Sequence, residues 1–566
     1  MTRSILAFLL ISFLPVADND LKFRSSRYHM EGKFFVLKRN WIPIVLPFIL
    51  FLLHASLFRK WIIDDAGISF VYARNLAQGY GLVSQPGVPP VEGFSNPTWV
   101  LLLSPFFWLN IFDPILVPKT VSAILILATF IVISKILKLV TEHDNAGTFI
   151  VLAFLAINSS FVIWTTSGLE NPLYAFLTAT LLWGIIRIGH QNTNSGWYIP
   201  AVSLISIFIA LTRPDGIVFA IAFPAILLSE IVSKRRSIQG ALKPALIYSG
   251  IFLIGYGAYL TFRYAYFGDI LPNTFYAKSG LGTLTISELN NKSDFLFQSI
   301  SFSPLMYMAL FAILVYADID KKVRRSIFPV MLFLFLSIVV YFLLPSDWMP
   351  EFRFATPFFI FFYISLFAIV DGLSKNIAAK RNLQVLLFLC LFLFASANGV
   401  SFIKRTSHFS KEPTVPFTLV ANLYGKRFDE CASLLGISNA SVLVPDIGGT
   451  LYYSNLRIYD LAGLTDKVIA KTLYVNPEKF HDYVFQTIKP TFIHIHQWWT
   501  YAASLDADSR FRQDYVAIEE TIDPWIYSNF GERIYSGNYI RKDALKGRLD
   551  ILQSKSIMKT CNPPSQ

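Results

Sequence analysis

Between residues 41 and 403 the chain repeats one pattern, apolar runs of roughly 14 to 26 residues separated by short polar loops. A helix that crosses the hydrocarbon core of a bilayer needs about 20 mostly apolar residues. The runs fall at 41–58, 115–140, 147–164, 172–188, 197–212, 215–232, 245–264, 304–317, 326–344, 354–373 and 383–403. A twelfth, 98–112, is short, follows Pro97 and contains Pro105, so it reads as a re-entrant or juxtamembrane segment. The expectation is a polytopic α-helical membrane protein of about 11–12 transmembrane helices. Composition agrees: 15% of residues are charged, against about 25% in soluble domains.

The formal charge of +12 could suggest a nucleic-acid partner, but its distribution argues against one. Residues 404–566 hold 19 basic and 17 acidic side chains, so the surplus belongs to the apolar part. There most of it sits in the N-terminal segment and in short loops at Lys234-Arg235-Arg236 with Lys243, Lys321-Lys322 with Arg324-Arg325, and Lys375 with Lys380-Arg381. Short basic loops beside helix ends stay on the cytoplasmic side. Propagating from them leaves the N-terminus cytoplasmic and puts 59–97, 167–172, 212–216, 265–303, 345–353 and everything after 404 outside. At the N-terminus, Arg3 precedes a 13-residue apolar run, Ile5 to Ala17. It is long enough for a signal-peptide core and short for a span; a start at Met30 is the alternative reading of segment 1–40.

The outside loops are rich in acids, Asn, Gly, Pro and aromatics, which marks that face as the working one. In the first, Ile68, Val71, Tyr72 and Leu76 share a helical face, Asp64 or Asp65 can cap its start, and Gly79 and Gly81 can end it. This reads as an amphipathic helix on the membrane surface with two carboxylates at its mouth. Glu92, Asn96, Glu170, Asn171, Asp215, Asp269, Asn273, Asp347 and Trp348 join them on the same face, with the cations Arg74, Arg213, Lys278 and Arg353. Carboxylates and cations together suit a reaction with a general base and an anionic leaving group.

From 404 onward, short strand-like runs at 441–444 and 490–496 alternate with amphipathic helices, indicating a soluble extracytoplasmic α/β domain over 404–566. His494 and His496 share a strand face there. Two histidines alone are weak grounds for a metal, and both a sugar-contacting surface and a packed core edge fit them. Cys431 and Cys561 are candidates for a disulfide in an oxidising compartment.

The ordered motifs DDAGISFVYARNLAQGYGLV (64–83), VEGFSNPTW (91–99), SGLENPLYAFL (167–177), TRPDG (212–216), FGDILPNTFYAKSG (267–280) and DWMPEFRFATPFF (347–359) resemble bacterial C-type (GT-C) glycosyltransferases. Within these, the set is most similar to the mycobacterial terminal β-(1→2)-arabinofuranosyltransferases and their bacterial relatives, over about residues 60–500. The resemblance implies a membrane enzyme of the bacterial inner membrane whose catalytic module spans 41–403. It would transfer a pentose such as arabinofuranose, or a hexose, by inverting or related chemistry from a polyprenyl-phosphate donor to a cell-envelope glycan or glycolipid. In that family an acid of the first outside loop is the base, which places Asp64 in that role with Asp65 as its orienting partner, although adjacent carboxylates are not separable by sequence. Arg353 and Lys278 would hold the donor phosphate, with Arg74 and Arg213 as weaker candidates. Glu92, Asn96, Glu170, Asn171, Asp215, Asp269, Asn273, Asp347 and Trp348 would contact sugar, and no cofactor or obligatory divalent metal is expected. The rivals are a protein O-glycosyltransferase of the same superfamily and a transporter or flippase of lipid-linked sugars, whose charges would sit at mid-membrane. Single cysteines placed in 59–97 should react with a membrane-impermeant thiol reagent from outside intact cells; labelling only after permeabilisation would reverse the topology.

Overall fold

The computed structural model describes residues 41–566 apart from 59, 142, 191–195, 280–290, 293–320, 345–346, 378–397, 547–551, 553–559 and 562–566. Residues 43–566 form one compact unit. Among the described residues five helices are long and apolar enough to cross a membrane: Leu116–Val140, Asn171–Gly189, Pro214–Val232, Ile238–Phe267 and Arg353–Gly372. Shorter apolar helices occupy Ile42–Phe58, Pro97–Trp108, Tyr198–Thr212 and Ile327–Leu343. The runs expected at 304–317 and over most of 383–403 lie outside the described residues.

The helices used below are α1 (Ile42–Ala55), α2 (Asp64–Ala77), α3 (Pro97–Trp108), α4 (Leu116–Val140), α5 (Asp144–Ile157), α6 (Ser159–Thr165), α7 (Asn171–His190), α8 (Tyr198–Thr212), α9 (Ala222–Val232), α10 (Ile238–Phe267) and α11 (Asn273–Ser279). They continue with α12 (Lys321–Leu343) and α13 (Thr356–Ile377). One expected span is corrected. The run 147–164 is broken at Asn158, where α5 and α6 meet at 73°. The Asn158 side chain accepts from Phe161 N–H at 2.9 Å and donates to Tyr363 Oη at 3.0 Å, satisfying the polar groups that the break frees.

The expected surface helix is also corrected. Ile68, Phe70, Val71, Tyr72 and Ala73 of α2 are all buried, so apolar residues surround its axis instead of forming one stripe. It packs on α3 on one side and on the C-terminal domain on the other. Ile63, not an aspartate, is its N-cap, and no side chain caps it. Gly79 and Gly81 follow its end with φ of 85° each, where a side chain would be strained.

The C-terminal domain holds β1 (Ser441–Val444), α14 (Gly448–Tyr453), β2 (Arg457–Asp460), α15 (Lys467–Thr472), β3 (Phe492–Ile495), β4 (Tyr515–Ile522) and β5 (Tyr535–Arg541). Their sheet has the order β2-β1-β3-β5-β4. β2, β1 and β3 are parallel; β5 and β4 are antiparallel. β1 and β3 are buried throughout, as expected of central parallel strands covered on both faces. Cys431 and Cys561 form a disulfide with a Cα separation of 5.2 Å, the pairing that the sequence raised.

Candidate active site

The membrane part and the C-terminal domain meet at the start of α2. Ile63 pairs with Pro416 in an antiparallel bridge, and the Asp64 N–H donates to Val415 O at 3.0 Å. The Asp64 carboxylate then accepts from the backbone N–H groups of Gly448 and Gly449, at 2.9 and 2.7 Å. The contact requires glycine: a Cβ on Gly448 would lie 1.8 Å from Asp64 O, and one on Gly67 would lie 2.5 Å from Gly448 C. Burial and then the nearby Asp446 charge push the Asp64 carboxyl well above the usual aspartate range, against the two amides.

Asp65, one residue on, points elsewhere. Its carboxylate is one-third exposed and lies 3.9 Å from Arg353. Enclosing protein raises its pKa, and Lys278 followed by Arg353 pulls it back down. Lys278 is accessible to water yet walled by protein, which, with the Arg353 charge, holds its ammonium below the ordinary lysine range. Arg353 is nine-tenths buried, ion-paired to Asp347 at 2.8 Å, and packed against Phe354 and Trp164. The turn that aims it is strained: Glu351 and Phe352 have φ of 66° and 53°. Non-glycine residues hold such angles only where their surroundings dictate it. Here the Glu351 carboxylate pairs with Arg405 at 2.5 Å, and its carbonyl accepts from Trp164 Nε1 at 2.8 Å.

Behind Asp65 lies a buried polar network. Arg213 pairs with Glu170 and Asp215, both at 3.0 Å. Asn96 donates to Glu170 at 2.8 Å and accepts from Ser69 Oγ of α2 at 3.1 Å. Tyr174 donates to Asp215 at 3.1 Å, and Asn171 donates to Arg353 O at 3.1 Å. These residues from α2, the N-cap of α3, α7 and the start of the Pro214–Val232 helix hold the site's wall together.

Several expected ligand contacts have other partners. Arg74, expected near phosphate, donates to the Tyr452 and Leu451 carbonyls at the end of α14 and stacks on Tyr452. It interacts with a helix C-terminus. Glu92 is buried in an ion pair with Arg263 at 2.7 Å and accepts from Tyr259 Oη at 2.7 Å. Asp269 pairs with Lys467 and Lys471 at 2.8 and 2.9 Å. Asn273 donates to Gly463 O and Leu464 O at 2.7 and 2.9 Å. Glu92 fastens its loop to α10, and the other three fasten the membrane part to the C-terminal domain. Trp348 is 64% exposed.

Sequence reasoning missed Asp446 as a site residue, whose charge acts on the α2 aspartates, and Arg263, whose charge lies inside an apolar run and was a readable signal. Among the described residues no three or more His, Cys, Asp or Glu side chains are grouped to hold a metal ion.

Residues 424–539 match a family described as a domain of unknown function (DUF8728). No curated protein matches the chain by sequence. Among solved structures, the archaeal oligosaccharyltransferase AglB from Archaeoglobus fulgidus, in complex with an inhibitory peptide and a dolichol-phosphate, is similar at a TM-score of 0.51 and 9% identity. That match covers 84% of this chain and 73% of the other. An Archaeoglobus fulgidus oligosaccharyltransferase in the apo form gives 0.53 at 12% identity, over 83% and 72%. The chain therefore shares the fold of these oligosaccharyltransferases: apolar helices bearing a small C-terminal sheet domain.

Asp64 and Asp65 should separate by assay. Asp64→Asn leaves an NH2 facing a backbone N–H and should cost on the order of 1–3 kcal/mol of stability, read as a lower melting temperature in detergent, while Asp65→Asn should melt like wild type. Gly448→Ala should destabilise by a similar or larger amount, since the added methyl meets backbone. Equal melting of Asp64→Asn and wild type would remove the clasp from the account.

Proposed function

We propose that the protein transfers a sugar from a polyprenyl-phosphate donor to a hydroxyl of a cell-envelope glycan or glycolipid at the outer face of a bacterial inner membrane. The carrying observation is the cluster of Asp65, Arg353 and Lys278. One solvent-reachable carboxylate lies beside two cations, at the mouth of a helix that follows a membrane segment. The likeness in fold to a glycosyltransferase solved with a dolichol-phosphate supports a lipid-phosphate donor.

In this reading Asp65 accepts the proton of the acceptor hydroxyl as its oxygen bonds to the anomeric carbon. The bond from that carbon to the phosphate oxygen breaks, and its electron pair leaves with polyprenyl phosphate. A phosphate leaving group needs charge stabilisation, not a proton, and Arg353 with Lys278 supplies it. Asp64 becomes the anchor, because both its oxygens are already engaged by the glycine amides. This reverses the roles expected for the pair. Arg213, Glu170, Asp215, Asn96 and Asn171 hold the wall, with Asp347 restraining Arg353. A polypeptide acceptor is the second reading, favoured by the oligosaccharyltransferase likeness; the same assay with peptide acceptors separates the two.

The test is release of polyprenyl phosphate from pentose and hexose donors by purified protein. Asp65→Asn should lower transfer by roughly 10²–10⁴-fold, the usual share of a general base. Arg353→Lys should be impaired as well, since a point charge lacks the planar fork. Full activity in Asp65→Asn would sink the assignment. Because its surroundings raise the Asp65 pKa, and the ionised form is the working one, kcat/KM should fall with decreasing pH at a point above the free aspartate value of about 3.9. A profile flat down to pH 4 would contradict it.

A further inference from the structure

The glycine clasp on Asp64 also delivers a second carboxylate. Asp446 precedes Gly448 by two residues, and its charge acts on both α2 aspartates. Its Oδ2 lies 3.4 Å from His496 Nε2, and both side chains are about one-quarter exposed. His496 Nδ1 is 3.1 Å from His494 Nε2, and His494 Nδ1 is 2.7 Å from Asn538 Oδ1. The Tyr424 ring packs along both imidazoles, with centroids at 4.3 and 6.2 Å. Four side chains thus form a line from β5, across β3, to the partly exposed edge of the site.

Counting protons along the line gives its polarity. Burial, then the His496 ring, holds His494 well below the usual histidine range, so it is neutral and has one donor and one acceptor nitrogen. With Nδ1 donating to the Asn538 oxygen, Nε2 accepts, and His496 Nδ1–H must donate to it. Nε2 of His496 then faces Asp446 with a lone pair. An imidazole lone pair opposite a carboxylate oxygen is repulsive until one proton lies between them. The groups around this pair are Asp64 and Asp65 from α2, Tyr424 and Arg427 from the segment before β1, His494 from β3, and Asp523, whose Oδ2 accepts from the adjacent Gln497 N–H at 2.7 Å.

We propose that Asp446 and His496, held in line by His494 and Asn538, form a proton-accepting pair that takes the acceptor hydroxyl's proton onward from Asp65. The inference rests on the glycosyl-transfer reading. The acceptor O–H bond breaks, the proton passes to Asp65 and from there through water, which reaches both partly exposed carboxylates, to the space between Asp446 and His496, and bulk water removes it before the next turnover. Asp65 returns to its ionised form between the two cations. Asp446 and His496 act through Asp65, so they are positioning residues in the sense that neither touches the anomeric carbon.

The experiment compares full-length wild type with Asp446→Asn, His496→Gln and His496→Asn. In each variant kcat should fall about tenfold or more, as loss of an acid–base partner does. KM for the donor should stay within about twofold, the acid limb of the pH profile should move, and free imidazole should restore part of the His496→Asn rate. Unchanged kcat, or a loss confined to KM, overturns the proposal. ¹⁵N spectra of the His496 ring give a readout that needs no turnover. Asp446→Asn, which removes the carboxylate opposite His496 Nε2, should change the chemical shift of that nitrogen; a ring spectrum indifferent to Asp446→Asn overturns the proposal. Wild type that releases no polyprenyl phosphate from any donor would overturn the glycosyl-transfer reading itself, whereas active wild type with equally active Asp446→Asn and His496→Asn would overturn the relay alone.

Discussion

A single buried carboxylate fixes the relation between the two halves of this molecule. Asp64 lies within the protein with each oxygen on a backbone amide from residues 448 and 449. Charge-assisted bonds of this kind are about twice as strong as neutral ones, and a buried carboxylate without them would be costly. The clasp sets the position of α2 against α14, and from that the separate directions of Asp64, toward the C-terminal domain, and Asp65, toward the cations. Arg74, Asp269 and Asn273 repeat the pattern around the rim, each using a polar side chain from the membrane part to hold backbone or a lysine of the C-terminal domain. Much of the polar content of these loops is therefore structural mortar between domains.

The fold was largely legible because the bilayer imposes length and polarity on every crossing segment. Leu116–Val140 and Ile238–Phe267 stand where their apolar runs stand. The sheet domain was legible from buried four-residue strands such as Ser441–Val444. The break at Asn158 was not, since a one-dimensional apolar run carries no record of a polar residue whose partners, Phe161 N–H and Tyr363 Oη, satisfy a kink. The burial of α2 was equally hidden: one of its covering faces comes from residues more than 370 positions away.

The site was legible as a collection of residue types and illegible as pairings. Asp65, Arg353 and Lys278 were all in view, yet Arg74 is chemically indistinguishable from Arg353 until Tyr452 is seen beneath it. Adjacent aspartates on a helix point about 100° apart, so one can meet the C-terminal domain while the other meets the cations. Sequence supplies no origin for that angle. The origin is Gly448, whose missing side chain allows the backbone approach.

The clasp also has a consequence for how the chain is made. Asp64 and Gly448 are separated by 384 residues. At a synthesis rate of about 5–20 residues per second, the carboxylate waits roughly 20 to 80 s for its partners. Through that interval the nascent chain holds a lone aspartate beside its first apolar helix, either hydrated or protonated. The pocket is complete only once residues 448 and 449 have been made. A chain truncated before residue 448 would therefore hold α2 and the cations beside it without the glycine amides that receive the Asp64 carboxylate.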